Sequence, residues 1–168
     1  MPEPVNVPEL SGIDKQRLAQ AGIDLELKSR CGSYLQMDQD MIHAECGESE
    51  IEVLPYKQAM EKYTWLKDFA WKAVSPDKDE ITKYVAAQKE QNGYVIIAHK
   101  GSKNVLPIQT CLFLGRDRIQ HVHNIIIAEE GAELHIISGC ASGSHVGKGG
   151  AHYGISEFYI KKDAKISF

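Results

Sequence analysis

The chain lacks the excess of basic residues that a nucleic-acid-binding protein needs. It carries 19 Lys and Arg against 23 Asp and Glu, a formal net charge of −4 with its 7 histidines counted as neutral. Because few Lys and Arg remain to neutralise phosphates, we expect no nucleic-acid partner. Long hydrophobic runs are also missing: apolar stretches such as residues 125–128 are strand length, far short of a membrane span, so we expect no membrane partner.

The chain also lacks a recognisable leader and any paired-cysteine motif. Residues 1–4, Met-Pro-Glu-Pro, have neither the cationic start nor the apolar run of a signal peptide, which predicts a cytoplasmic location. The four cysteines, Cys31, Cys46, Cys111 and Cys140, show no CxxC spacing. In a reducing compartment we expect them to be free thiols rather than disulfides.

The beginning of the chain is predicted to be a loose arm followed by a short helix. Residues 1–12 are rich in Pro and polar residues. A helical pattern then covers residues 14–21 and stops at Gly22, a residue type that suits a helix C-terminus. Further on, residues 51–54 could form a short strand, which Pro55 would end.

Two more helices are predicted before the texture of the sequence changes. Apolar residues recur every three or four positions through residues 56–74, which is typical of one amphipathic helix. Ser75, Pro76 and the acidic residues after them favour the start of a second helix that extends to about Glu90. Residues 1–92 are therefore predicted to be a helical N-terminal region with a flexible arm.

From residue 93 the sequence turns into short β-branched runs, and it repeats. IIAHKG at residues 96–101 recurs as IIAEEG at residues 126–131, and more loosely as YIKKDA at residues 159–164. The repeated unit is a strand, a charged turn and a second strand, and its fixed period favours stacked rungs that share one core. Residues 93–168 are therefore predicted to be the first rungs of a β-solenoid. A series of hairpins in an ordinary sandwich is the alternative.

The third copy of the repeat ends in the middle of a predicted strand, at Phe168. An uncapped solenoid edge leaves a row of backbone N–H and C=O groups open to other chains. We therefore expect the natural protein to continue beyond this point.

Cys140 is the sharpest candidate for chemistry. It lies in SGCASG, residues 138–143, directly after a predicted strand, where small neighbours leave the sulfur accessible. A thiolate is the nucleophilic and metal-binding form of cysteine. The alternative is a small hydrophobic residue at a strand end, and burial is the expectation for Cys111 in its apolar run. Three nearby basic side chains could favour the Cys140 thiolate: His135, His145 and Lys148.

The histidines raise a different interpretation, a metal site. His121 and His123 lie two apart, so on a strand they share a face, and histidine is a common zinc and iron ligand. Gly115, five residues and then this pair match the opening of the cupin metal motif. The expected glutamate arrives one place late, as Glu129, which changes its face on a strand. A cupin-like metal-binding enzyme using this pair is kept as an alternative.

Longer strings resemble a known family. Residues 122–140, VHNIIIAEEGAELHIISGC, and residues 154–162, GISEFYIKK, are similar to the SufB/SufD family of iron–sulfur cluster assembly scaffold proteins, and especially to its archaeal members. Residues 32–36 and 61–68 in the helical part are similar to it as well. The resemblance covers nearly all of residues 14–168.

The resemblance implies a fold and a set of partners. The fold is mainly β: a small α-helical subdomain leads into the rungs of a right-handed parallel β-helix, with a C-terminal helical domain later in the family. The partners are a second SufB/SufD-type subunit, a SufC-type ATPase and a sulfur donor protein. An iron–sulfur cluster is expected only transiently in the full assembly, with none permanently bound to this chain.

The resemblance also implies a role for one thiol. In SufB-like members, a cysteine in an early rung accepts sulfur, and its position matches Cys140, with His123 and His135 as supporting candidates. The residues that hold the nascent cluster lie in later rungs of the family. We therefore expect a sulfur-accepting scaffold rather than a turnover enzyme. The alternatives are the cupin-like enzyme and a non-catalytic β-solenoid interaction module.

Overall fold

The computed structural model describes residues 10–115, 119–143 and 150–168. In these ranges the helices are α1 (Gly12–Gln20), α2 (Tyr56–Lys62), a 3-10 helix (Thr64–Asp68) and α3 (Glu80–Ala86). The strands are β1 (Gly32–Met37), β2 (Asp40–Cys46), β3 (Ile51–Pro55), β4 (Tyr94–Ala98), β5 (Ile108–Leu114), β6 (Ile119–Ala128), β7 (Glu133–Ser142), β8 (Ala151–Ile160) and β9 (Lys165–Ser167). In the described ranges, no helix is long and apolar enough to cross a membrane.

The strands form two sheets, and successive strands from β4 to β9 alternate between them. One sheet has the order β2-β1-β5-β7-β9 and the other the order β3-β4-β6-β8. Successive neighbours are parallel along β1-β5-β7-β9 in the first sheet and along β4-β6-β8 in the second. The edge strands β2 and β3 are antiparallel to their neighbours β1 and β4. The predicted mainly-β class with helices in the first part of the chain is therefore confirmed, with mixed sheets.

The internal repeat of the sequence corresponds to the register of the parallel strands. Ile96 pairs with Ile126, and Ala98 pairs with Ala128, so the repeated IIA segments lie side by side. Ile127 in turn pairs with Tyr159, the first residue of the looser third copy. Each repeat thus places its apolar residues beside those of the next, as stacking of repeated units requires.

The central strands are buried on both faces. Ile96 and Ile126 face the other sheet and join one continuous core with Ile108 and Ile136. The intervening residues on β4 and β6 face outward, where the N-terminal helical segments cover them. This outer cluster consists of Tyr56, Ala59, Leu66, Val95, Ile97, Ile125 and Ile127. Burial on both faces explains why these strands are nearly continuous runs of Val and Ile.

Residues 32–55 correct the description of the N-terminal region as helical. They form β1, β2 and β3, and only the last of these was predicted. β1 inserts between β2 and β5, and five of its six residues are buried. A strand buried on both faces shows no alternation of apolar and polar residues, so periodicity does not reveal it. The division at residue 92 stays a prediction.

The long helix predicted over residues 56–74 is also corrected. The α-helix stops at Lys62, a 3-10 helix follows, and the chain then turns with Trp71 in the left-handed region at φ 61°. The backbone N–H groups of Trp71 and Ala73 donate to the Glu157 carboxylate, at 2.6 and 2.7 Å. A continuing helix would use those N–H groups internally, so this contact favours the turn.

The helix predicted to begin at Ser75 starts later and is shorter. Asp79 is the N-cap of α3, and its carboxylate accepts the Thr82 backbone N–H at 2.8 Å. The Thr82 hydroxyl accepts the Asp79 N–H in return at 2.9 Å, which completes a capping box. The cap therefore fixes the start of this helix at Glu80, and the helix ends at Ala86.

The turns after β4, β6 and β8 stack in register, and their charges alternate in sign. Lysine and histidine side chains of the first and third turns lie beside glutamates at or next to the second turn. Exposed pairs of this kind contribute little stability individually, but they disfavour a shifted register, which would place like charges together. The contacts are His99–Glu129 at 3.7 Å, Lys161–Glu129 at 3.4 Å, Lys100–Glu130 at 3.2 Å and Lys103–Glu133 at 2.7 Å.

Gly93 fixes the entry into β4, and its replacement gives a first prediction. Its φ is +120°, and an added Cβ would lie 2.4 Å from the His123 backbone oxygen and 2.6 Å from Asn124 Oδ1. Gly93→Ala should lower the free energy of unfolding by roughly 2–4 kcal/mol through clash and backbone strain, measured by urea denaturation. Gly12→Ala, where an added Cβ meets no atom within 4 Å, should change it by less than about 1 kcal/mol. Equal stability of the two variants would contradict the packing described here.

Candidate functional site

Cys140 lies on the face of β7 that is directed between the two sheets. Side chains alternate along a strand, so Cys140 shares its face with Leu134 and Ile136, which belong to the core between the sheets. Its parallel neighbour on β5 is Leu112, another member of that core. The preceding Gly139 faces the opposite way, toward α1, where an added Cβ would lie 3.0 Å from the Ile23 side chain.

Cys140 is exposed even though its side chain is directed inward. β7 pairs with β5 along Cys140, whereas β9 pairs with β7 only at residues 133–135. In the described part of the chain, the other edge of β7 is therefore uncovered at Cys140. Within these 168 residues, the Cys140 thiol therefore borders solvent on one side and the space between the sheets on the other.

The environment of Cys140 favours the protonated thiol. Burial of part of the residue raises the pKa of the Cys140 thiol above its ordinary value, because a low-polarity surrounding disfavours the thiolate. His135 was expected to favour the Cys140 thiolate, but it is too far away to do so. It is exposed on the opposite face of β7, about 16 Å from Cys140 along the strand. His145 and Lys148 lie outside the described residues. Activation of this thiol by His135 is therefore not supported by the geometry.

A short row of hydroxyl groups lies on the same inner surface as Cys140. The Thr110 hydroxyl donates to the Ser138 hydroxyl at 2.9 Å and lies 3.3 Å from the Tyr94 hydroxyl. Cys111 is fully buried, as its apolar run predicts, and burial together with the nearby Cys140 raises the pKa of Cys111 to about 12. The inner surface beside Cys140 therefore offers hydroxyl donors, whereas Cys111 packs on the opposite face of β5 with Leu18 and Ile23.

His123 is not part of the Cys140 site. It lies on β6, in the other sheet, with its side chain on the outer face beneath the helical segments. There it is fully buried, 4.2 Å from the Trp71 ring and 5.2 Å from the Tyr56 ring between centroids. Its Nε2–H donates to Glu157 Oε1 at 2.6 Å. The prediction that His123 supports Cys140 is not supported by this placement.

Glu157 collects hydrogen bonds from three separate parts of the chain. Besides His123, its carboxylate accepts the backbone N–H groups of Trp71, Ala73 and Val74, the last at 3.2 Å, and the Tyr159 hydroxyl at 3.0 Å. The residue is 1 % exposed. This buried carboxylate therefore attaches the turn after the 3-10 helix to β8. Sequence reasoning missed it because all the partners except Tyr159 lie 34 to 86 residues away.

The charge states of this buried pair follow from competing effects. Burial raises the pKa of Glu157, but the hydrogen bonds from His123 and the backbone N–H groups outweigh it and lower the net pKa. For His123, burial is the larger effect and lowers the pKa, although Glu157 opposes it. At neutral pH the pair is thus a carboxylate and a neutral imidazole with its proton on Nε2. His123 Nδ1 is buried and has no hydrogen-bond partner in the described part of the chain.

The His121–His123 pair does not form the metal site of the cupin alternative. His121 Nε2 lies 3.3 Å from the Glu90 backbone oxygen, while His123 is committed to Glu157. Within residues 10–115, 119–143 and 150–168, no three or more His, Cys, Asp or Glu side chains are grouped to hold a metal ion. The strands there form two sheets rather than a closed barrel. The described residues therefore offer no support for a cupin-like enzyme.

Fold and site together define a class: a mainly-β chain of stacked, largely parallel strands with a thiol, Cys140, on the face between its two sheets. The sequence of this chain is similar to the sequences of proteins named iron–sulfur cluster assembly SufBD family protein. One from Archaeoglobus fulgidus is 50% identical over 157 residues, 94% of this chain and 42% of its own length. One from Methanothermobacter thermautotrophicus (strain Delta H) is 44% identical over 158 residues, 92% of this chain and 38% of its own length.

A more distant relative carries the same family name. The Pyrococcus horikoshii protein PH1385 is 27% identical over 160 residues, 90% of this chain and 35% of its own length. No family model matches the chain. The relatives confirm the resemblance seen in the sequence: over more than nine tenths of its length, this chain is similar to proteins named iron–sulfur cluster assembly SufBD family protein. It spans about two fifths of the length of the curated relatives it matches.

Replacing Glu157 tests the attachment of the helical segments. Glu157→Gln keeps the shape but removes the charge and leaves the buried N–H donors poorly matched, so unfolding should become easier by about 2–3 kcal/mol. Glu26→Gln makes the same chemical change at an exposed residue and should stay within about 0.5 kcal/mol of the unchanged chain. Urea denaturation is monitored by tryptophan fluorescence, to which Trp65 and Trp71 both contribute. Equal stability of the two variants would refute the attachment.

The buried pair also predicts destabilisation by mild acid. The folded-state pKa values of His123 and Glu157 are both lowered, so the unfolded chain binds more protons as the pH falls. The stabilisation of the folded chain by neutral His123 is fully present above the ordinary histidine pKa of 6.5. As the pH falls below that value, the free energy of unfolding decreases by up to about 1.4 kcal/mol per pH unit.

The measurement is the free energy of unfolding from pH 7.5 to 5.5 for the unchanged chain and for His123→Asn. Burial also lowers the pKa of His43 and His152, so the diagnostic quantity is the difference between the two slopes. The variant should show the shallower slope. Parallel slopes would mean that His123 is not buried in its neutral form.

Proposed function

We propose that this chain is part of a scaffold for iron–sulfur cluster assembly and that Cys140 accepts sulfur there. The observation that carries the proposal is the position of Cys140 on the strand face directed between the sheets, beside Leu112. The names of the relatives support the assembly role. A sulfur acceptor needs a route from its thiol to the assembly site, and a thiol on the inner strand face lies on such a route.

The scaffold architecture we propose is a right-handed parallel β-helix, of which residues 93–168 form the first rungs. Support comes from the alternation of successive strands between two sheets and from the unshifted parallel registers β4–β6–β8 and β5–β7. The handedness follows the family resemblance. In such a helix the inner strand faces line one continuous interior, so a group on Cys140 would border that interior.

The chemistry we propose is the transfer of one sulfane sulfur atom. The Cys140 thiolate attacks the outer sulfur of a donor cysteine persulfide and forms a new S–S bond. The donor's own S–S bond breaks, and the donor cysteine leaves as a thiolate, so no net oxidation or reduction occurs. Because burial raises the pKa of Cys140, its proton has to be removed when the donor docks, and the departing donor thiolate can take it up.

The hydroxyl row would act after the transfer. Ser138 lies two residues before Cys140 and therefore on the same strand face, with Thr110 hydrogen-bonded to it. Hydroxyl groups donate hydrogen bonds to anionic acceptors, and such bonds are stronger than those between neutral groups. A persulfide anion on Cys140 would find these donors along the same strand face.

The partners belong to the same proposal. We propose that a second SufB/SufD-type subunit, a SufC-type ATPase and a sulfur donor protein act with the chain in the cytoplasm. The cluster is the cargo of the complex and is passed on, and the chain acts as an acceptor and scaffold rather than as a turnover enzyme. Cluster ligation would require residues of the longer proteins, since this chain spans about two fifths of its relatives.

The test is sulfur loading by a cysteine desulfurase and free cysteine under anaerobic conditions. The unchanged chain and Cys46→Ser, the control at a partly exposed thiol, should gain one sulfur atom by intact mass and release it on cyanolysis. Cys140→Ser should lose most of this loading. Equal loading of both variants would end the assignment of Cys140 and favour a non-catalytic interaction module.

A further inference from the structure

Two cysteines outside the Cys140 site meet at the β1–β2 hairpin. Cys31 directly precedes β1, Cys46 ends β2, and Gly32 pairs with Cys46. The Gly47 N–H donates to the Cys31 carbonyl at 2.7 Å, and the side chains of Cys31 and Cys46 pack against the same core. A Cβ on Gly32 would lie 3.1 Å from Cys46 Sγ. The glycine therefore leaves space for this sulfur.

The Cys31 sulfur is held in place by its surroundings. Cys31 is 5% exposed, its Sγ lies 2.9 Å from the Leu106 carbonyl oxygen, and the Asn104 amide donates to it at 3.7 Å. Asn104 is itself fixed by two hydrogen bonds with the His135 backbone, at 2.8 and 2.9 Å. The neighbouring Cys46 thiol lowers the pKa of Cys31, with a further contribution from Asn104, whereas the neighbouring Cys31 thiol and burial raise the pKa of Cys46.

Cys46 opens onto an acidic cavity. The cavity has a volume of about 470 Å³, and Cys46 lines it together with Glu45, Glu48, Glu52 and Lys62. Three carboxylates and one ammonium group give it a negative potential, which concentrates cations and repels anions. A cation entering this cavity meets a thiol on its wall and a second thiol directly behind it.

The ligand set selects the kind of cation. Zn²⁺ and Fe²⁺ favour four or more ligands, and no group of three or more suitable side chains occurs in the described part of the chain. A soft ion with a filled d shell, such as Cu(I) or Ag(I), prefers sulfur and is satisfied by two thiolates in a linear arrangement. The pair therefore matches a two-coordinate thiophilic ion.

We propose that Cys31 and Cys46 bind one monovalent thiophilic ion of the Cu(I) class as a dithiolate. The ion replaces two thiol protons, which pass to solvent, and no oxidation state changes. Binding therefore strengthens as the pH rises. It also links the start of β1 to the end of β2, so it stabilises the folded chain. This site is independent of Cys140 and of the proposed sulfur transfer.

The test is anaerobic Cu(I) titration of the whole chain in competition with a chromophoric Cu(I) chelator. The unchanged chain and the control Cys140→Ser should each retain one equivalent, whereas Cys31→Ser and Cys46→Ser should each lose it. Retention by both hairpin variants, or loss in Cys140→Ser, would overturn the proposal. X-ray absorption on the Cys140→Ser complex should show two sulfur neighbours and no nitrogen or oxygen at bonding distance.

A second measurement removes the risk that a serine variant does not fold. One equivalent of Ag(I) added to the unchanged chain should protect Cys31 and Cys46 together from alkylation, read by peptide mass, and leave Cys140 reactive. Alkylation of either hairpin cysteine at its metal-free rate would overturn the site. Closure of the pair to a disulfide by oxidised glutathione, without retention of Cu(I) by the reduced chain, would assign it to redox chemistry instead.

Discussion

The in-register parallel pairing of β4, β6 and β8, and of β5 and β7, is the constraint on which the other features of the structure depend. A shift of one residue would move every side chain to the opposite face, so Ile126 would leave the core and Ile125 would enter it. The same register brings opposite charges together in the stacked turns and places Cys140 beside Leu112. A shift would therefore separate the ion pairs and turn the thiol outward, and the isoleucine-rich core makes this costly.

Glu157 is where this regular stacking is interrupted. Val95 and Ile125 occupy the equivalent positions on β4 and β6, under the helical segments, and β8 places a carboxylate there instead. Burying a charge is unfavourable unless it is well hydrogen-bonded, and the turn after the 3-10 helix supplies the N–H groups that do so. The helical segments are thus attached partly by the apolar cluster and partly by one polar contact, and acid weakens the polar part first.

Some of this structure could be predicted from the sequence, and the failures have physical causes. The IIA repeat predicted the stacking of β4 and β6 because identical residues lie side by side. β1 was missed because burial on both faces removes its alternation. The helix over residues 56–74 was overextended because its turn depends on a carboxylate some 86 residues later. The small neighbours of Cys140 predicted that its thiol is accessible. Proximity in sequence wrongly suggested that His123 and His135 lie near this thiol, because the strand face and the sheet, rather than the spacing, decide which side chains meet.

The central claim is that Cys140 accepts sulfur on the inner face of the sheet, and its most direct test is a structure of the sulfur-loaded chain. A crystal structure after anaerobic treatment with a desulfurase should show an extra sulfur atom on Cys140 Sγ, directed between the sheets toward Ser138. An extra atom on another cysteine, or Cys140 turned toward α1 on the face of Gly139, would contradict the account.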